Sequence, residues 1–292
     1  MKKLIPLIFS VVLVVLATVF YSYRITSKLH NYKLKKEEVV EILDAEARLG
    51  NVWEWVPFLN PAEELMAQKD ELEGKADLYY RSAVKDGVIL GGIIVAFMLF
   101  NFIFYLKKEN RDQVVGIAFV IASLSLLYLG LQSPFLELEA YMDDVTVSAE
   151  IADFGLSDYV GGRVYFFYQN HSVLELIKLL YTGGNFFVAI LILFFSIVFP
   201  ITKLLSSLVI LMAPASNFAK NAITVVNKLG KWSMADVFVA SIFLAFFSFS
   251  NSNFGIETGS TTLIGLHFFV AFVVLSLFSG YYLKRVVTNL TN

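Results

Sequence analysis

The sequence predicts an all-α polytopic membrane protein with about six transmembrane helices, a small extracytoplasmic β-sheet and a helical hairpin insert. Of its 292 residues, 57% are hydrophobic and only 16% are charged, which leaves too little polar surface for a soluble domain of this length. Six stretches lack Lys, Arg, Asp and Glu, and each approaches or exceeds the roughly 20 residues that cross a bilayer as a helix. These stretches are 4–23, 87–106, 114–136, 179–202, 237–256 and 258–283.

The residues between these stretches predict the orientation of the bundle. If there are six spans, the basic clusters all fall on one side, and the positive-inside rule makes that side and both termini cytoplasmic. The clusters are Lys2, Lys3, Lys107, Lys108, Arg111, Lys220, Lys228, Lys231, Lys284 and Arg285. The first stretch could also be a signal peptide, but no small-x-small cleavage site follows it, so we expect a retained anchor.

Two segments are predicted to lie outside the bilayer. Residues 24–86 are predicted to form an antiparallel helical hairpin, because Val39, Leu43 and Ala47 recur at a four-residue spacing and a second apolar stripe leads into the second span. Residues 133–178 alternate in hydropathy between glycines at 155, 161 and 162, which predicts a sheet of two to four strands. An amphipathic helix is expected around 172–180, and a tight helical hairpin around Glu257.

These features divide the chain into an anchor helix at 1–23, the hairpin at 24–86, a second transmembrane helix at 87–106 and a four-helix module at 114–285. The hairpin tip carries Trp53, Trp55 and Phe58. Two interpretations of the hairpin remain open. It is either a solvated helical spacer or a site that docks a partner through exposed aromatic side chains.

Ionisable residues within membrane spans are costly and therefore candidates for function. Lys203 follows Pro200 and Thr202 within an apolar stretch, where it either extends its ammonium to the interface or faces the bundle interior. Asp236 follows Ser233 at a spacing that also fits a helix cap. We expect both charges near one membrane face, where they could form an ion pair.

His267 is predicted to lie in the outer half of the last span, where hydrogen bonding within the bundle and proton relay are both open as roles. Several other functions lack support in the sequence. A net charge of −2 argues against nucleic-acid binding, and the chain contains no Cys for disulfides or thiolate metal sites. No phosphate-binding glycine loop, HExxH or GxSxG motif is present, so we expect no enzyme activity, no metal site and no cofactor.

Two segments resemble the signatures of the paraquat-inducible protein A family: FSIVFPITKLL at 195–205 and GKWSMADVFV at 230–239. Residues 172–176 and 265–282 fit the same pattern more loosely, and the resemblance covers about 114–285. It implies a bacterial inner-membrane protein that works with mammalian-cell-entry (MCE) domain partners to move lipids across the envelope. Many members carry Cys-rich zinc ribbons and two copies of the module, whereas this chain has no Cys, one copy and two added spans.

We therefore expect a non-enzymatic inner-membrane component of an envelope lipid-transport system, with membrane lipids and an MCE-domain protein as candidate partners. Lys203 would hold an anionic headgroup or pair with Asp236, and Ser233, Thr202 and His267 would be secondary polar contacts. The alternative is a membrane scaffold or sensor that binds an envelope ligand through its hairpin and sheet. An ion-coupled small-molecule transporter is less favoured, because inverted repeats are not apparent.

Overall fold

The computed structural model describes residues 5–49, 62–151, 154–214, 216–230, 241 and 257–291. These residues form nine α-helices, a π-helical turn and three strands. In chain order they are α1 Ile5–Ile42, α2 Ala45–Leu49, α3 Ala62–Phe104, α4 Arg111–Gln132, β1 Pro134–Ile151, β2 Phe154–Ser172, α5 Val173–Thr182, α6 Phe186–Leu193, the π turn Phe194–Val198, α7 Phe199–Met212, α8 Asn217–Gly230, β3 Glu257–Thr262 and α9 Ile264–Thr291.

Five helical segments of the described chain are long and apolar enough to cross a membrane: Ile5–Ile42, Glu63–Phe104, Arg111–Gln132, Phe186–Met212 and Ile264–Asn289. They confirm the predicted fold class of a polytopic helical membrane protein with a small sheet. The predicted span at 237–256 lies outside the described residues, as do the aromatic residues Trp53, Trp55 and Phe58 of the hairpin tip.

Helices α1 and α3 each extend far beyond the bilayer. Their 38 and 43 residues correspond to roughly 57 and 65 Å of helix, about twice the hydrocarbon thickness. Their polar halves form the two arms of the hairpin. The carboxylate of Asp86 on α3 is buried near the point where the sequence changes from polar to apolar. It accepts a hydrogen bond from Lys28 Nζ at 2.6 Å, and Arg24 Nε lies 3.1 Å from it. Both cations come from α1, so this ion-pair group joins the two helices.

Helix α4 is the central helix of the bundle and packs closely on α9. A Cβ added at Gly130 would lie 3.1 Å from the backbone nitrogen of Phe269, so only glycine allows this approach without a shift. A Cβ on Gly265 would lie 2.4 Å from the carbonyl oxygen of Ser133. The junction between α4, β1 and α9 therefore depends on two glycines.

The sheet has the strand order β2-β1-β3, and both pairings are antiparallel. Its third strand corrects the sequence prediction, because Thr258–Thr262 belong to β3 and pair with Leu136–Ala140 instead of opening the last span. The predicted direct helical turn at Glu257 is wrong for the same reason. This stretch has no charge after Glu257, but its three β-branched Thr residues suit an extended strand, and the stretch buries little apolar surface.

Strands β1 and β2 form one long hairpin, which agrees with the predicted sheet of two to four strands in this segment. Gly161 and Gly162, which were expected to mark a turn, lie inside β2 at an irregularity in the register. Gly162 has a φ of +82° there, and its N–H donates to the Asp144 side chain at 2.8 Å. The predicted amphipathic helix is confirmed as α5, where Ser172 and Glu175 form a capping box.

The span predicted at 179–202 instead runs over Phe186–Met212, because Gly183 and Gly184 end α5. Gly184 has a φ of +81°, which glycine adopts without strain. Further along, the π turn precedes Pro200, and the Phe199 N–H donates to the Phe194 carbonyl. Pro200 has no N–H for the helical ladder, so a local change to wider hydrogen bonding accommodates it.

Candidate functional site

The two ends of the bundle differ in chemistry, and we name them the sheet side and the basic side. The basic side holds the start of α4 and the ends of α7 and α9. Arg285 Nε lies 3.2 Å from Asp112 Oδ2, and the Gln113 side chain donates to the Leu211 carbonyl. Helix α1 also begins on this side, since Asn101 near the end of α3 donates to Ser10 at 3.2 Å. The basic clusters at 107–111 and 284–285 thus lie at one end of the bundle, in agreement with the sequence prediction for these two clusters.

A cavity of about 690 Å³ opens between α7, α8 and α9 near the basic side. Its described lining combines two lysines and several hydroxyl groups with aliphatic and aromatic side chains, and it contains no carboxylate. These lining residues are Lys203, Ile210, Ile223, Val226, Ser276, Leu277, Gly280, Tyr281, Leu283, Lys284, Val287 and Thr288. The described lining of the cavity therefore offers ammonium and hydroxyl groups at its polar positions and is apolar elsewhere.

Lys203 on α7 is one of the residues that line this cavity, and its side chain is half-buried. It lies nine residues before the end of α7 at Met212, which is roughly 14 Å along the helix axis. Its backbone carbonyl accepts a hydrogen bond from Ser207 at 2.8 Å. Pro200 is buried on the same helix and Thr202 is half-buried beside it. The structure thus places Lys203 in the lining of the cavity between α7, α8 and α9.

Helix α9 supplies the second cation, which sequence reasoning did not select as a site residue. Ser276, Gly280, Lys284 and Thr288 line the cavity at intervals of four residues, so they form one stripe along the helix. An added Cβ on Gly280 would meet nothing within 4 Å, so the space beside it is open. The four-residue spacing of small and polar residues was the signal that could have identified this face.

The remaining predicted site residues divide into two groups. Ser233 and Asp236 lie outside the described residues, so the proposed ion pair with Lys203 stays a prediction. His267 is described, but it lies one turn into α9 on the sheet side, where its Nδ1 donates to the Leu263 carbonyl at 3.0 Å. The structure therefore does not bring His267 to the cavity that contains Lys203.

A buried polar cluster joins the hairpin to the sheet on the opposite side of the bundle. Glu137 of β1 is 5% exposed and accepts hydrogen bonds from the Tyr32 hydroxyl and, at 3.4 Å, from the Asn170 amide. Lys36 Nζ lies 3.5 Å from Glu137 and 3.6 Å from Glu73, so it bridges β1 to α3. One carboxylate thus connects side chains of α1, β2 and, through Lys36, α3.

The surroundings of this cluster change the pKa values of neighbouring groups on the sheet. Burial raises the pKa of Glu139, although the nearby ammonium of Lys36 opposes this effect. Burial, followed by the charge of Glu139, raises the pKa of Tyr165 to about 12. Tyr165 also holds α1 against the sheet, because its N–H donates to the Leu43 carbonyl at 2.8 Å. The cluster is therefore a rigid structural junction, and its carboxylate has a protein partner for each oxygen.

The described architecture defines a multi-span membrane protein with a three-stranded sheet at one end and a cationic cavity near the other. Residues 158–286 match the model of the Paraquat-inducible protein A family, which supports assignment of the protein to that family and confirms the resemblance seen in the sequence. The match spans part of β2 and α5 to α9, including Lys203 and Lys284. It is shorter than the expected 114–285, because α4 and β1 lie outside it. No curated protein and no solved structure matches the chain.

Proposed function

We propose that this protein is a non-enzymatic component of a lipid-transport system of the bacterial cell envelope, located in the inner membrane with both termini in the cytoplasm. The match to the family model and the five apolar helices long enough to span a membrane support the membrane setting of this proposal. The observation that carries the proposal is the cavity between α7, α8 and α9, whose shape and charge suit an anionic lipid.

The chemistry of the cavity matches the two parts of such a lipid. A headgroup phosphate would lie between Lys203 and Lys284, where two ammonium groups compensate its charge in surroundings less polar than water. Ser276 and Thr288 offer additional hydroxyl groups. The acyl chains would follow the aliphatic side chains of the wall. The basic side would face the cytoplasm under the positive-inside rule, so the lipid would exchange with the cytoplasmic leaflet.

Helix α8 fits the role of a movable wall for this cavity. It contributes Ile223 and Val226 to the lining and carries Lys220 and Lys228 in its sequence. An amphipathic helix with lysines is suited to the interface of an anionic membrane. A small displacement of this helix would open the cavity sideways to lipid without disturbing the packing of α4 on α9.

The partner in this proposal is an MCE-domain protein that receives or delivers lipid on the sheet side. The sheet and the hairpin arms form a surface that the Glu137 cluster holds in one orientation. Such a surface also favours the second candidate function, a scaffold or sensor that binds an envelope ligand there. The two functions differ in one respect: the scaffold needs no lipid in the cavity near Lys203.

Lipid that remains bound after purification tests the proposal. We expect mass spectrometry to find anionic glycerophospholipid with the wild-type protein and about tenfold less with Lys203→Gln or Lys284→Gln, since one charged contact contributes roughly 1.4 kcal/mol. Lys107→Gln is the matched control, because this exposed lysine lies on the same side and outside the cavity lining. Equal amounts of anionic lipid in all four proteins would exclude this site and favour the scaffold.

A further inference from the structure

A second groove lies between α3 and α9 on the lipid-facing side of the bundle, and its volume is about 500 Å³. All of its described lining is apolar except one histidine. The lining residues are Gly91, Ile94, Val95, Met98, Leu99, Leu126, His267, Phe268, Ala271, Val274 and Leu275. One wall of this groove belongs to α3, which lies outside the family match at 158–286.

The groove has the depth of one leaflet. It runs from Gly91 to Leu99 on α3 and from His267 to Leu275 on α9, which is roughly 12 Å on each helix. The hydrocarbon core of a bilayer is about 30 Å thick, so this length stays within one half of it. The groove begins near the start of α9 at Ile264, close to β3, and therefore lies in the leaflet on the sheet side.

Glycines on α3 determine where the groove starts. At Gly87 the two helices touch, because an added Cβ would lie 2.6 Å from the Ile264 side chain and 3.0 Å from Phe268. One turn deeper, at Gly91, an added Cβ would meet nothing within 4 Å. The helices are thus in contact at Gly87 and leave open space beside Gly91.

His267 gives the groove a polar end. Its Nδ1 donates to the Leu263 carbonyl, which fixes the ring and leaves Nε2 as its other hydrogen-bonding atom. The same residue borders a smaller cavity of about 260 Å³ together with Thr262, Leu266, Val270 and Ala271. The imidazole therefore lies where the apolar groove meets the polar edge of the membrane near β3.

We propose that this groove holds one acyl chain of a glycerolipid from the sheet-side leaflet, with His267 hydrogen-bonded to the polar part of that lipid. Acyl chains are the abundant apolar, flexible and elongated groups at this depth, and the described lining offers such a chain apolar packing, with His267 as its single polar side chain. This inference deepens the proposed function, on which it rests for the identity of the cargo. It adds a second binding position, in the leaflet opposite the Lys203 cavity.

Adjacent glycines allow a closely matched experiment. Gly91→Leu places a side chain into the groove, whereas Gly92→Leu adds the same side chain next to it at an exposed position that also has nothing within 4 Å. Ala271→Phe fills the groove from the opposite wall and keeps the test valid if Gly91→Leu does not fold. The probe is phosphatidylglycerol with a photoreactive diazirine in its acyl chain, incorporated with each full-length protein into nanodiscs.

We expect peptide mapping to find label within 91–99 and 267–275 of the wild type and of Gly92→Leu. Gly91→Leu and Ala271→Phe should lose this label but keep label in the segment 276–288 that lines the Lys203 cavity. Equal labelling of the groove in Gly91→Leu and Gly92→Leu would overturn the inference. If the groove is labelled but 276–288 is not, the groove stands and the proposed cavity fails. The reverse pattern removes the groove and leaves the proposed function intact.

Discussion

Replacing Glu137 by Gln tests how the hairpin is held on the sheet. The substitution keeps the size of the side chain and an oxygen that can accept from the Tyr32 hydroxyl, but it removes the negative charge. Lys36, whose side chain is 17% exposed, then loses the carboxylate at 3.5 Å and keeps Glu73 at 3.6 Å. The substitution Glu137→Gln therefore removes a single charge from a buried network.

The expected cost follows from these contacts. Breaking a buried ion pair costs about 3–5 kcal/mol when the remaining charge has no other partner. Because Glu73 still compensates Lys36, we expect about 2 kcal/mol for Glu137→Gln. Glu137→Ala also leaves the Tyr32 hydroxyl and the Asn170 amide without their acceptor, at about 1 kcal/mol each, which brings the expected total to about 4 kcal/mol.

Hydrogen exchange measured by mass spectrometry is the appropriate assay, because it reports local opening of the hairpin apart from the transmembrane bundle. A loss of 2 kcal/mol corresponds to about 30-fold faster exchange in the segments 30–42 and 65–80. The control is Glu38→Gln, which removes a partner of Lys35 at 2.6 Å from a partly exposed pair on α1, with side chains 45% and 30% exposed. That change should cost at most about 0.5 kcal/mol despite the shorter distance.

Two outcomes would refute this reasoning. Exchange that is equally fast in Glu137→Gln and Glu38→Gln would mean that burial of the ion pair has no energetic effect. Exchange that accelerates across α4 and α9 as much as in the hairpin would mean that Glu137 stabilises the whole protein, and that the junction is not a separate unit.

Three further predictions concern the fold. Gly265→Ala should sharply lower the yield of folded protein in size-exclusion chromatography, because its Cβ would lie 2.4 Å from the Ser133 carbonyl oxygen, whereas Ala at the open Gly74 should be tolerated. Asp86→Asn should cost about 2–3 kcal/mol in unfolding by SDS in mixed micelles, since it leaves two cations of α1 without their carboxylate. Glu175 should lose its stabilising effect only in acid. His171 has the largest effect in lowering the pKa of Glu175, followed by the Ser172 amide and a lysine of α1. Together they bring the pKa to about 2, although burial opposes them. The contribution of Glu175 to stability is therefore complete above about pH 4.5 and disappears as the pH falls towards 2. Thermal unfolding of the wild type and Glu175→Gln across this range should converge at the acid end, and a constant difference would contradict the assignment.

The sequence predicted the membrane helices well because long uncharged stretches have few alternatives in a bilayer. It failed at Thr258–Thr262, where the absence of charge was interpreted as membrane helix although strand pairing with β1 satisfies the backbone instead. The bounds of the fourth span also shifted, since two consecutive glycines at 183 and 184 end α5 before the hydrophobic helix begins at Phe186. Charge and hydropathy predict that a helix or strand is present, whereas its first and last residues depend on contacts with neighbouring elements.

The candidate site could be predicted only in part. Lys203 was identified because a charge within an apolar stretch is costly, and the structure places it in a cavity wall. Lys284 was attributed only to the positive-inside pattern, because a single helix does not reveal which lysine faces a neighbouring helix. His267 was expected in the outer half of the last span, and it lies on the sheet side, away from Lys203. Distances between helices are a property of packing, which spacing within one helix cannot supply.

The central claim is that the cavity near the basic side selects lipid by charge. The most direct measurement compares the affinities for phosphatidylglycerol and phosphatidylcholine by native mass spectrometry, for the wild type, the double variant Lys203→Gln/Lys284→Gln and Gly280→Leu. We predict that the wild type prefers the anionic lipid, that the double variant loses this preference, and that Gly280→Leu weakens binding of both lipids by filling the open space beside α9. An unchanged preference in the double variant, with the Lys107→Gln control behaving in the same way, would contradict the account.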